Sequence, residues 1–173
     1  WIKRNIVKFI EEICLSFSEY AKAKDYKYNF AASSDDINLY YDSAKLERVF
    51  YNLISNAFKY TPDQGEINIE IIEELDKVVV LVSDTGVGIP EEYVDKIFER
   101  FFELSTEDGN ERTNKKGTGI GLAIAKNIVE LHHGKIGVTP NKIGYGSVFT
   151  VALLKGNIHF KGQKFLEETQ IFE

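Results

Sequence analysis

The chain has 173 residues, 43% hydrophobic and 13% aromatic, which suits one domain with its own core and excludes a disordered or collagen-like chain. Its net charge of −6, with no clustered basic face, argues against a nucleic-acid footprint. The longest aliphatic run, Val78 to Val82, is far shorter than the ~20 apolar residues of a membrane-spanning helix, so a soluble piece is expected.

The chain starts at Trp1 with no basic-then-apolar leader, which reads as part of a longer protein. Ile2, Ile6, Phe9, Ile10, Ile13, Phe17 and Tyr20 recur at three- and four-residue spacing and predict one amphipathic helix from Ile2 to Ala21. The single cysteine, Cys14, falls on that stripe, cannot form an internal disulfide, and reads as a small buried hydrophobe in a reducing compartment. Tyr26 to Ala31 and Ile37 to Tyr41 read as two short strands around the turn Ser33 to Asp36, expected to pair as a hairpin. Asp42 or Ser43 can cap the next helix, whose stripe Leu46, Val49, Phe50, Leu53, Ile54 and Ala57 runs until Thr61-Pro62 stops it.

Glu66 to Ile72 alternates like a half-exposed strand, and the apolar run Val78 to Ser83 suggests a central one. Glu91 to Phe102 should be helical at least in part, whereas Glu103 to Lys116 is polar without periodicity and reads as a mobile loop. A helix from near Gly119 to Leu131 and closing strands at Lys135 to Val138 and Ser147 to Leu154 complete the pattern. The tail from Lys155 has no clear place in the sheet. With no internal repeat or interior linker, residues 1–154 form the expected domain, and 155–173 a tail or linker toward a following one.

Three motifs carry the chemistry. Asn52 and Asn56 lie one helical turn apart on the polar edge, with Lys59 and Tyr60 a turn further on. An amide oxygen is a hard, neutral ligand that suits Mg²⁺, and Lys59 can balance phosphate charge; taken alone, the ridge reads as a solvated helix face. Asp84-Thr-Gly-Val-Gly-Ile-Pro90 follows the apolar strand directly. Its carboxylate can accept a hydrogen bond from an exocyclic amine while Gly86 and Gly88 leave room for a flat base; taken alone, it is a turn. Gly117-Thr-Gly-Ile-Gly-Leu122 opens a helix whose free amides favour phosphate, with Lys115 and Lys116 adding charge; taken alone, it is a hinge. It is neither a Walker loop nor a Rossmann fingerprint. In this order, the three point to ATP.

On these residues the chain resembles the catalytic and ATP-binding domain of bacterial sensor histidine kinases, in the GHKL superfamily that also includes gyrase, Hsp90 and MutL. Asn52 to Tyr60 resembles its N box, Asp84 to Gly88 its first G box, Ile97-Phe-Glu-Arg-Phe-Phe102 its F box and Gly117 to Leu122 its second G box. The resemblance covers about Ile2 to Leu154. It implies an α/β (α+β) fold, a two-layer α/β sandwich of the Bergerat type in which a mixed sheet backs a layer of helices, with a lid over Glu103 to Lys116. It implies ATP and Mg²⁺ as cofactors. Asn56 is then the metal ligand, Asn52 and Lys59 lie at the phosphates, Tyr60 and Asp84 at the base, and Gly117, Gly119 and Gly121 at the phosphates. Gly86, Gly88, Ile89, Lys116, Thr118 and Leu122 complete the nucleotide set. Arg100 is expected to face the phosphates when the lid closes, and Phe98 and Phe101 to pack its base; Phe102 stands where many relatives have tyrosine.

Hydrolysing members of the superfamily place a glutamate four residues before the metal asparagine to activate water. This chain has Asn52 there, a poor general base. The resemblance therefore implies a kinase that offers the γ-phosphate to a histidine on a separate dimerisation hairpin, for relay to an aspartate of a response-regulator receiver domain, with Asn52, Lys59 and Arg100 as catalytic residues. A related ATPase or serine kinase, and a nucleotide-gated module without transfer, are the alternatives. The hairpin's phosphoacceptor motif is absent. His132 and His133 end a helix where a cation complements the dipole, and read as structural. His159 sits in a tail that resembles the end of this domain in hybrid sensor kinases. The fragment is expected to be monomeric, its parent a homodimer, and the location the cytoplasmic side of a membrane-anchored sensor.

Overall fold

Asn5 decides how the chain begins. In the computed structural model, which describes residues 1–103, 119–141 and 145–167, its side chain accepts from the backbone N–H groups of Val7 at 2.9 Å and Lys8 at 3.2 Å. That cap starts helix α1 (Ile6–Leu15) and leaves Ile2–Asn5 extended as strand β1; α2 (Ser18–Ala23) follows. The single helix expected from Ile2 to Ala21 is therefore a strand and two helices, because apolar spacing does not register a polar cap.

The expected hairpin is also corrected. Strand β2 (Lys27–Ala32) runs parallel to β4 (Glu66–Glu73), while β3 (Asn38–Tyr41) runs antiparallel to β1 in a different sheet. Ser33 is the reason. Its N–H donates to the Ile71 carbonyl at 2.9 Å and its Oγ accepts from the Glu73 N–H at 2.9 Å, which keeps the chain along β4 past the point where a hairpin would turn back.

Helix α3 (Ser43–Tyr60) starts at Asp42, whose carboxylate accepts from the Lys45 N–H at 3.1 Å, and ends where Thr61 turns extended before Pro62. Strands β4, β5 (Lys77–Asp84), β6 (Lys135–Pro140) and β7 (Ser147–Leu154) join β2 in a five-stranded sheet of order β2-β4-β5-β7-β6, with β5 central as expected. Val78, Val80 and Val82 of β5 alternate inward with Ile67, Ile69 and Ile71 of β4 and pack in one core with Phe50, Leu53 and Ile54 of α3. Helices α1 and α4 (Gly121–Leu131) add Ile10, Ala125 and Val129 to that core. The result is the mixed sheet backed by helices that the sequence led us to expect.

Between β5 and α4 the expected partial helix reduces to a 3₁₀ turn at Glu91–Tyr93 followed by further turns. Beyond Glu103, the loop expected as a lid lies outside the described residues. The tail does find a place, in a second sheet of order β3-β1-β8, where β8 (Leu166–Glu167) lies parallel to β1. Phe160 anchors it, buried with its ring 4.2 Å from that of Trp1.

Two buried groups complete the account. Cys14 is buried, with its thiol pushed up to about 12 by desolvation, as befits a small hydrophobe. His132, read as structural at the end of α4, is buried, and burial lowers its pKa below the ordinary value. Among the described residues no helix is long and apolar enough to cross a membrane.

Candidate functional site

Helices α3 and α4 run antiparallel. The first turn of α4 meets Asn52 in the second half of α3, while the end of α4 meets Asp42 at the start of α3. Where the first of these meetings faces the end of β5, two hollows adjoin. One is largely apolar and is lined by Asp84, Gly88, Ile89, Leu122, Ser147 and Phe149 among others; the second is lined by Asn52, Lys59, Gly119 and Gly121. Asn56, Tyr60, Ile97, Phe102, Glu103 and Leu122 line both, so they form the wall between a base-sized slot and a polar pocket.

Asp84 closes the floor of the apolar hollow. It is 4% exposed, and burial pushes its carboxyl above the usual value, opposed by three donors: Gly86 N–H at 2.9 Å, the Ser147 hydroxyl at 2.9 Å and Ser147 N–H at 3.4 Å. Its backbone is held as firmly. Asn141 Nδ2 donates to the Asp84 carbonyl at 2.9 Å, and Gly146, at a φ of 117°, lies so close that a Cβ there would collide with that carbonyl. The Val87 N–H donates to the Tyr60 carbonyl at 3.2 Å, tying the first glycine box to the end of α3.

The polar hollow offers the opposite chemistry. Asn56 Nδ2 donates to Asn52 Oδ1 at 3.3 Å, an arrangement that directs the Asn56 oxygen elsewhere and leaves it to serve as a hard ligand. Lys59 Nζ stands 5.0 Å from the centre of the Tyr60 ring. The N-cap of α4 is Ile120, which has no side-chain acceptor, so the first amides of that helix keep their capacity to bind an anion. A neutral oxygen ligand, a cation and an uncapped helix start make a donor set that fits Mg²⁺ with phosphates.

Most of the sequence-derived set therefore converges: Asn52, Asn56, Lys59, Tyr60, Asp84, Gly88, Ile89, Gly119, Gly121 and Leu122 line the two hollows, and Gly86 hydrogen-bonds the Asp84 carboxylate. Arg100 is exposed and lines neither hollow. Lys116, Gly117 and Thr118 lie outside the described residues. Phe98 packs edge-on to Phe149 at 6.3 Å, but Phe101, expected to pack beside it, is 74% exposed with a φ of 63°. Sequence reasoning missed Ser147 and Gly146, although the glycine before a serine at the start of a strand is a signal that could have found them.

A sequence profile of the family described as histidine kinase-, DNA gyrase B-, and HSP90-like ATPase matches residues 41–157. Histidine kinase P4 of Formosa agariphila is 48% identical over 96% of this chain, and sensor histidine kinase WalK of Bacillus subtilis is 38% identical over 79%. The chain spans only 12% and 22% of the lengths of those two proteins. The catalytic domain of histidine kinase ThkA, in a nucleotide-free form, matches with a TM-score of 0.77 at 30% identity, covering 88% of this chain and 96% of that one. ThkA in complex with the response regulator protein TrrA matches with a TM-score of 0.75 at 28% identity, covering 89% of this chain and 41% of that one. The chain thus belongs to the histidine kinase-, DNA gyrase B- and HSP90-like ATPase family, and its fold is that of a histidine kinase catalytic domain.

Proposed function

We propose that the chain binds Mg-ATP and donates the γ-phosphate to a histidine on a separate dimerisation hairpin, for relay to the aspartate of a response-regulator receiver domain. Asn52 carries this reading. It stands one helical turn before Asn56, in the position from which a carboxylate would activate water, and it is a neutral amide whose oxygen is engaged by Asn56. Asp84 would accept from the adenine amino group in the apolar hollow. Lys59, Asn52 and the start of α4 would hold the phosphates in the polar one, and Asn56 would hold Mg²⁺, which neutralises charge on the phosphate oxygens. Arg100, Lys116, Gly117 and Thr118 complete the phosphate cover in this proposal. The reacting bond is the one between the γ-phosphorus and its bridging oxygen, which breaks to leave ADP as the acceptor nitrogen bonds to phosphorus. We place the parent as a homodimeric, membrane-anchored sensor with this domain on the cytoplasmic side.

One observation favours hydrolysis as a second reading: Glu103, an exposed carboxylate, also lines the polar hollow. Incubation with γ-labelled Mg-ATP and the parent's histidine-bearing hairpin decides between them. Acid-labile label on the hairpin is the expected result. Rapid phosphate release without label, abolished in Glu103→Gln, would replace the kinase by an ATPase.

A further inference from the structure

Helix α4 ends on a ring that bonds to a different helix. Nδ1 of His132 lies 2.8 Å from the Ile128 carbonyl of its own helix, and Nε2 lies 3.1 Å from the backbone nitrogen of Asp42. A backbone N–H can only donate, so Nε2 carries no proton and the ring's one proton sits on Nδ1, facing the Ile128 oxygen. Asp42 is the N-cap of α3. The ring therefore joins the last turn of one helix to the first residue of the other. It is 2% exposed, with Trp1 packed edge-on against it at 4.5 Å and Phe160 behind Trp1, so water does not compete for the bond.

A plain helix-ending histidine needs only the bond to its own helix. The Asp42 bond is extra, and joins residues 90 positions apart. At the opposite end of the same helix pair, Gly121 lies so close to Asn52 that a Cβ would collide with the Asn52 side-chain amide. Two antiparallel helices that touch at one end and are bonded at the other cannot slide along each other without breaking a contact. We propose that His132 is a positioning residue for phosphate binding: by fixing the axial register of α4 on α3, it sets the gap between Gly119 and Gly121 on one side and Asn52, Asn56 and Lys59 on the other. This rests on the nucleotide reading above. The apolar hollow takes its floor from β5 and β7, so an altered register would be felt most where the phosphate chain extends furthest.

The test measures Mg-ATP and Mg-ADP affinity by calorimetry for the unmutated chain, His132→Ala and His132→Gln, with melting temperatures alongside. Alanine removes the acceptor, whereas glutamine places an amide near the Nε2 position and can still accept from Asp42. The expected result is that His132→Ala loses roughly fivefold more affinity for ATP than for ADP, and that His132→Gln recovers most of that difference. Equal losses for both nucleotides, or a glutamine variant no better than alanine, would make the ring merely structural. Should the alanine variant fail to fold, nitrogen-15 NMR of the unmutated chain decides: a bare Nε2 and a slowly exchanging Asp42 amide are expected, and an Nε2-protonated ring overturns the proposal. Failure of the nucleotide reading has its own signature, an unmutated chain that binds neither nucleotide.

Discussion

Asp84 is held between two opposed effects. Burial favours its neutral form, and the three donors from Gly86 and Ser147 favour the carboxylate, so the same neighbours that position the group keep it an acceptor. Asp84→Asn turns one oxygen into a donor facing groups that already donate. Mg-ATP affinity should fall roughly ten- to a hundredfold, the loss expected when a charged acceptor goes missing. Titration by calorimetry checks this, and undiminished binding would refute Asp84 as the adenine anchor. Residues such as Asp84, Asn56 and Lys59 were legible because their order along the chain restricts what they can serve. Ser147 was missed, because a serine at a strand start looks the same whether or not a buried carboxylate lies opposite, and only the preceding Gly146 hints at it. Phe101 shows the converse: the F box names it, but only the backbone, left-handed at that residue, reveals that its ring faces out.

At the scale of elements, α3 and β4 were legible because each carries an uninterrupted period over several turns or pleats, and β5 because its unbroken apolar run suits a strand covered on both faces. The start of the chain was not, since one asparagine cap outweighs a run of well-spaced isoleucines, and strand partners such as β2 with β4 depend on contacts far apart in sequence. Helix α4 allows a test in which propensity and packing disagree. Gly121→Ala should favour the helix on propensity alone, by less than the roughly 1 kcal/mol of a helix interior because Gly121 is its first residue. The new methyl group would nevertheless strike the Asn52 amide, so Mg-ATP affinity should drop roughly fivefold or more. An alanine variant that binds ATP as well as the parent would show that the Asn52 amide, or the α3–α4 contact, yields to the methyl group without cost.

For the whole molecule, titration of histidines links acidity to folding. Burial lowers the pKa of His132 below the ordinary 6.5, opposed first by the hydrogen bond to the Ile128 carbonyl and then by the Asp42 charge, while Lys45 and His133 lower it further. His159 is lowered in the same sense, by burial and then by His133. In the unfolded chain both rings regain the ordinary value and bind protons first, so their contribution to stability is complete above about pH 6.5 and is lost as the pH falls from there toward the depressed folded values. The melting temperature should therefore decline on acidification below that point, and His132→Gln should flatten the decline. A parallel curve for the variant would remove His132 from the account. The class of fold was legible at this scale, and the second small sheet was not, because nothing in the tail's composition says that Phe160 will find Trp1.

Cys14 offers a practical consequence. A thiol pushed up to about 12 and buried on the inner face of α1 holds almost no thiolate at neutral pH, so thiol-directed dyes should leave the folded chain untouched. A cysteine introduced at Leu75, which is 97% exposed, can then carry a fluorophore without first removing the native one. Any slow labelling that does reach Cys14 would count the moments when the core stands open, giving the molecule a built-in clock for its own unfolding.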